Sequence, residues 1–184
     1  MSAAANKTLR GATSARCFAV ILASLLVTGC PATSGAPAFS VRPSLVNKKA
    51  PEFVRKDLNG KDLVLRSLRS KVVLLNFWAT WCAPCLVEMP VFAKWQQQYG
   101  PQGLQVVGIS MDDDSAPVRR TLSKMKLNYP ITMGDAALGQ NYGGVLGLPL
   151  TFLIDRKGVV RAQIQGETDV NTIEKQLKLI LDQP

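Results

Sequence analysis

The 184-residue chain has no histidine and only four cysteines. The missing histidine removes the usual partner of cysteine in a tetrahedral zinc site, which needs four ligands. The cysteines are Cys17, Cys30, Cys82 and Cys85, too few for a disulfide-built scaffold. No apolar stretch approaches the roughly twenty residues that span a bilayer; the strongest, residues 17–27, has eleven. The formal net charge is +9, but the bases are scattered and not interleaved with aromatics. With no recognition motif present, a nucleic-acid partner is not expected. Internal repeats are absent. Met89, Met111, Met125 and Met133 are spaced as packing residues rather than as a metal box.

What is present centres on Cys82-Ala83-Pro84-Cys85, which follows an apolar run at 72–75. Two cysteines two residues apart, where a strand gives way to a helix, can close a small disulfide and reopen it. The unpaired N–H groups and the dipole of a helix start favour a thiolate there, so Cys82 is the candidate attacking sulfur. Half a zinc site has the same spacing, but Cys17 and Cys30 lie far away in the N-terminal segment. A purely structural role is also unattractive, because so short a loop restricts the unfolded chain little.

The N-terminal region reads as an export signal. Residues 1–29 carry Lys7, Arg10 and Arg16, no acid, and then the apolar run. The end, Val27-Thr28-Gly29-Cys30, resembles a bacterial lipobox. That resemblance implies cleavage before Cys30 and lipid on its sulfur; the competing reading is ordinary cleavage near Ala36 or Ala38. Either way, Cys82 and Cys85 would be the only free thiols of the mature chain. Loss of the signal lowers the net charge from +9 to +6. Residues 30–49, rich in Pro, Ala, Ser and Thr, form an expected flexible tether. Residues 50–184 form one expected domain. The bases between 48 and 71 read mainly as a solvated face, with an anionic membrane surface as the alternative.

The pattern within the domain alternates. Phe53-Val54 and Leu63-Val64-Leu65 around Asn59-Gly60 predict a hairpin. Residues 72–78 form a continuous apolar strand, as in a sheet covered on both faces. A helix is expected over 82–99, kinked by Pro90 and stopped by Gly100. A strand over 104–110 and a helix over 115–126 follow, with Asp112, Asp113 and Asp114 before that helix to suit its dipole. A short helix over 135–142, a hairpin of 150–154 with 159–165, and a helix capped by Asp169 complete the domain. Strands alternating with helices imply an α/β fold with a largely parallel sheet.

Several motifs carry a family resemblance: Phe77-Trp78-Ala79-Thr80-Trp81-Cys82-Ala83-Pro84-Cys85, Glu88-Met89-Pro90, Ala50-Pro51-Glu52-Phe53, and Gly147-Leu148-Pro149-Leu150-Thr151-Phe152. Together with residues 68–75, these resemble the TlpA/ResA-type family of extracytoplasmic thiol–disulfide oxidoreductases over about residues 49–182. The resemblance implies a thioredoxin-like fold with an N-terminal β-hairpin extension and a central strand–helix insertion. It also implies reduction of disulfides in exported proteins, for example in cytochrome c maturation. Cys82 would attack a substrate disulfide, and Cys85 would resolve the mixed disulfide.

The resemblance implies further roles around this pair. Glu88, one turn after Cys85, would move protons to and from it. Asn76 replaces the buried aspartate that cytosolic thioredoxins hold at the corresponding strand position. Leu148-Pro149 would form a cis bond facing the sulfurs, and Trp81 would meet partners; Trp78 suits the core. No cofactor is implied. The partners implied are protein disulfides and a membrane electron donor of the DsbD/CcdA type. The protein would be an extracytoplasmic, membrane-anchored lipoprotein facing the periplasm or cell exterior.

Two other functions use the same residues. A thiol peroxidase of the peroxiredoxin type needs Pro-x-x-x-Thr/Ser-x-x-Cys, but Ala79 and Leu75 stand at the required positions before Cys82. An exported copper carrier could use both thiolates, but related copper proteins use wider cysteine spacing and a histidine.

Overall fold

The computed structural model describes residues 44–183. The expected signal, most of the tether and Cys30 lie outside the described residues. Two short strands, β1 (Val54–Lys56) and β2 (Asp62–Val64), pair antiparallel as a separate two-stranded sheet. This is the expected hairpin, except that Leu65 already belongs to a 3₁₀ turn. The main sheet contains β3 (Val72–Trp78), β4 (Leu104–Ser110), β5 (Ile131–Met133), β6 (Leu150–Ile154) and β7 (Val160–Gln165), in the order β5-β4-β3-β6-β7. The pairs β3–β4 and β4–β5 are parallel, whereas β6 is antiparallel to both of its neighbours, β3 and β7.

The apolar run of β3 is buried at every residue. Its alternation explains why. Val72, Leu74 and Trp78 face one core cluster, shared with α1 (Ala83–Tyr99), α2 (Ser115–Leu122) and α4 (Val170–Leu181). Val73, Leu75 and Phe77 face the second, which holds Leu138 of α3 (Ala136–Asn141), the adjacent Tyr142, and Leu63 of the hairpin. Both faces are therefore covered, as a central strand of this composition requires. On the second face, Phe77, Tyr142 and Phe152 stack with centroids 5.1–6.0 Å apart. Full burial of each such side chain is worth about 1.5–3 kcal/mol.

Several expected boundaries move. The first long helix begins at Ala83 and runs to Tyr99 without interruption, with Pro90 inside it. The α-helix ends at Tyr99 with Gly100 as its C-cap, as expected, but Gly100 stays right-handed and opens a 3₁₀ turn, and the left-handed residue is Gly103, with φ 98°. A substituted Gly103 would meet the Cβ penalty of that region. The next helix ends at Leu122, short of the expected 126. Lys124 and Lys126 therefore lie in the loop before β5. Strand β5 was not located by pattern; only three residues long, it sits at the sheet edge. With α3 it supplies the strand–helix insertion before β6.

Candidate active site

The site forms where β3 ends. The chain leaves Trp78, turns through Ala79 and Thr80, and enters α1 with Cys82 as N-cap. Cys82 and Cys85 are joined by a disulfide with an S–S distance of 2.00 Å. The Cys85 N–H points at the Cys82 sulfur, 3.4 Å away. Pro84 in the first turn costs no hydrogen bond, because a helix leaves its first N–H groups unpaired anyway. Cys82 retains 5% exposure, whereas Cys85 is fully buried. The outer sulfur thus lies beside helix-start donors, and the inner one is sealed behind it.

Glu88 lies one turn beyond Cys85, buried at 4% exposure. Neither carboxylate oxygen has a hydrogen-bond partner. Burial, and secondarily the negative charge of Glu167, push its pKa up to about 7. A carboxyl with no donors to stabilise its charge holds a proton close to neutral pH. Asn76 is buried and donates from Nδ2 to Thr151 Oγ1 at 3.0 Å. The pair is neutral and satisfied, so Asn76 offers no titrating group to the interior. Of these two buried side chains, Glu88 is the one that can titrate, with its carboxyl pushed toward neutral pH.

The segment preceding β6 lies at the same end of the sheet. Leu150 pairs with Phe77, so Leu148 and Pro149 fall at the same end of the sheet as Cys82. The Leu148-Pro149 bond is cis. Leu148 is half-buried and packs against the cluster that contains both cysteines. Pro149 is buried, and its carbonyl accepts from Gly166 N–H at 2.8 Å. Trp81 is 72% exposed, and Val87 and Leu146 are exposed at 71% and 73%. Trp78 is fully buried, as expected of a core residue. The structure thus brings Cys82, Cys85, Glu88, Trp81, Leu148 and Pro149 to one end of the sheet.

One residue escaped sequence reasoning. Asp112 accepts from Thr80 N–H at 2.9 Å and from Thr80 Oγ1 at 2.5 Å. It also accepts from Ser110 Oγ at 2.8 Å. It does not cap α2; Asp114 does, accepting from Ala116 N–H. Asp112 instead ties the turn before Cys82 to the end of β4. The signal available was its place just past the carboxyl end of a strand adjacent to β3, where sites of open α/β sheets gather.

The Redoxin family profile matches residues 45–177. The chain is 35% identical to the thiol-disulfide oxidoreductase ResA of Bacillus thuringiensis over 135 residues, which cover 73% of this chain and 78% of that one. Against ResA of Bacillus subtilis the identity is 33% over 131 residues, covering 71% and 73%. Among solved structures, a thiol:disulfide interchange protein of the thioredoxin family from Chlorobium tepidum superposes with a TM-score of 0.67 at 30% identity. That superposition covers 76% of this chain and 97% of the other.

Proposed function

The chain belongs to the Redoxin family, among the ResA-like thiol–disulfide oxidoreductases, and on that premise we propose that Cys82 and Cys85 reduce disulfides of exported proteins. The observation that carries the reading is the closed Cys82–Cys85 disulfide at a helix start, next to a buried carboxyl without partners. In the reduced protein the Cys82 thiolate attacks one sulfur of a substrate disulfide. A Cys82–substrate S–S bond forms as the substrate bond breaks, and the released thiolate takes a proton. Cys85 then gives its proton to the Glu88 carboxylate and attacks the Cys82 sulfur. The Cys82–Cys85 bond closes, and the second substrate sulfur leaves as a thiolate that takes the proton from Glu88. The first substrate thiolate takes the equivalent of the proton that Cys82 released on ionising, so from dithiol to disulfide the protein gives up two electrons and two protons and the substrate gains them.

The cycle requires a dithiol donor to reopen the disulfide, and a membrane partner of the DsbD/CcdA type fits an exported protein. Trp81 and the Leu148-Pro149 segment border the outer sulfur and receive the substrate chain. Lipidated Cys30, followed by the tether at 31–49, would hold the domain at the membrane on the extracytoplasmic side. Among the described residues, no helix is long and apolar enough to cross a bilayer. Apocytochrome c is one exported substrate of suitable chemistry.

Alkylation rate against pH tests the assignment of sulfurs. The Cys82 thiol should ionise below the ordinary value of about 8.5, and Cys85 should react more slowly. A more reactive Cys85 at neutral pH would reverse the roles. Membrane fractionation of a Cys30→Ala variant tests the anchor. Loss of membrane association supports it, and unchanged association contradicts it.

A further inference from the structure

Away from the cysteines, two concavities of about 330 Å³ and 490 Å³ share Met125 and Leu127 in their walls. They adjoin across the loop that leads from α2 to β5, whose Met125 and Leu127 form a wall of each, and the two together make up the groove considered below. One half is closed by the hairpin turn at Leu58 and by Tyr129; Leu58 is fixed there by its N–H bond to the Ile131 carbonyl, 2.8 Å long. The other half runs along α1, past Pro90, Ala93 and Lys94. Pro90 lies five residues beyond Cys85, or about 7.5 Å along a helix. The groove therefore begins about one and a half turns from the redox pair.

Its charge is one-sided. Lys94, Arg119, Lys124 and Lys126 line it, and no acid does. The sequence from 115 to 134 contains no Asp or Glu at all. These four cations are exposed, and none appears in the ion pairs of the described residues. An apolar floor of Met125, Leu127 and Tyr129 under an unneutralised basic rim is complementary to an acidic chain that also carries apolar side chains. Met125 adds a flexible, polarizable wall that can adapt to what it meets.

We propose that this groove docks an acidic, apolar-bearing polypeptide segment of the protein whose disulfide the Cys82–Cys85 pair exchanges. This rests on the thiol–disulfide reading, which supplies the reason for recruiting a partner so near the pair. The groove would hold the partner by a second contact, raising its local concentration at Cys82. Being electrostatic at its rim, the contact weakens as salt screens it.

The test uses a synthetic peptide with one internal disulfide, joined to a segment of alternating Glu and Leu. Controls replace Glu by Lys, or Leu by Ser. Reduction kinetics are compared between the wild-type protein and a Lys124→Glu/Lys126→Glu variant, whose changes are exposed. The expected result is a KM about tenfold higher for the Glu–Leu peptide in the variant, with kcat unchanged. Neither control should distinguish the two proteins to that degree. Separately, a disulfide-free, fluorescent Glu–Leu peptide is titrated into oxidised protein. Binding should weaken about tenfold in the variant and fall with salt.

If the wild type reduces no peptide but still binds the fluorescent one, the redox reading fails and the groove stands. If both proteins reduce and bind the Glu–Leu peptide equally, the groove proposal is overturned. It is also overturned if phosphatidylglycerol vesicles bind the wild type and not the variant while peptide binding is unaffected, because the surface would then be a membrane contact.

Discussion

Replacing Glu88 with Gln tests the buried carboxyl where its effect is largest. In the unfolded chain a glutamate ionises near its ordinary value of about 4.5; in the fold burial and Glu167 raise it to about 7. Between these values the folded protein holds a proton that the unfolded chain has released. Stability must therefore fall as pH rises through this window, and level off above it. Each pKa unit is worth about 1.4 kcal/mol, so the loss between pH 4 and pH 8 is about 3 kcal/mol. Gln keeps the shape and cannot ionise. Urea unfolding of oxidised wild type and Glu88→Gln should diverge with pH, the variant gaining about 3 kcal/mol relative to wild type by pH 8. The oxidised form isolates the effect, because disulfide-bonded cysteines do not titrate. The reduced variant should also reduce substrate more slowly, since Cys85 loses its proton acceptor. Parallel stability curves for the two proteins would refute the reasoning, because they would mean Glu88 is ionised in the fold as in the unfolded chain.

Two further outcomes follow from the packing. Asp112→Ala removes the acceptor of three hydrogen bonds, two of them from Thr80; unfolding should cost about 2–3 kcal/mol less than in wild type, and Cys82 should alkylate at a changed rate because its approach turn is released. Trp81→Ala should leave the melting temperature within error, since the ring is mostly exposed; KM for a protein disulfide should rise, while reaction with a small disulfide should not change.

Much of the domain could be read from residue order because local and tertiary preferences agree there. The run at 72–78 is apolar throughout and is buried throughout. Asp169 was expected to cap the last helix, and its side chain accepts from Asn171 N–H at 3.0 Å. What failed was decided by distant contacts. Strand β5 is too short to show a period; it exists because Ile131 and Thr132 add to the edge of β4 and receive the hairpin turn. Gly100 does end the α-helix, but the 3₁₀ turn after it and the left-handed residue at Gly103 left no mark in the pattern. In the site, Cys82, Cys85 and Glu88 could be read because they share one helix and a fixed spacing. Asp112 could not, because its partner Thr80 lies 32 residues earlier and only the parallel β3–β4 pairing joins them. Isolation of the Glu88 oxygens from every donor likewise belongs to tertiary packing and leaves no mark in the sequence.

The central claim, that Cys82 attacks and Cys85 resolves, is tested most directly by intact-mass measurement on a Cys85→Ser variant mixed with a disulfide-bearing protein substrate. The expected result is a stable adduct whose added mass is that of the substrate, linked through Cys82 and released by a small thiol. The matching Cys82→Ser variant should form no such adduct at neutral pH. An adduct on Cys85 in the Cys82→Ser variant, with none on Cys82 in the Cys85→Ser variant, would contradict the account.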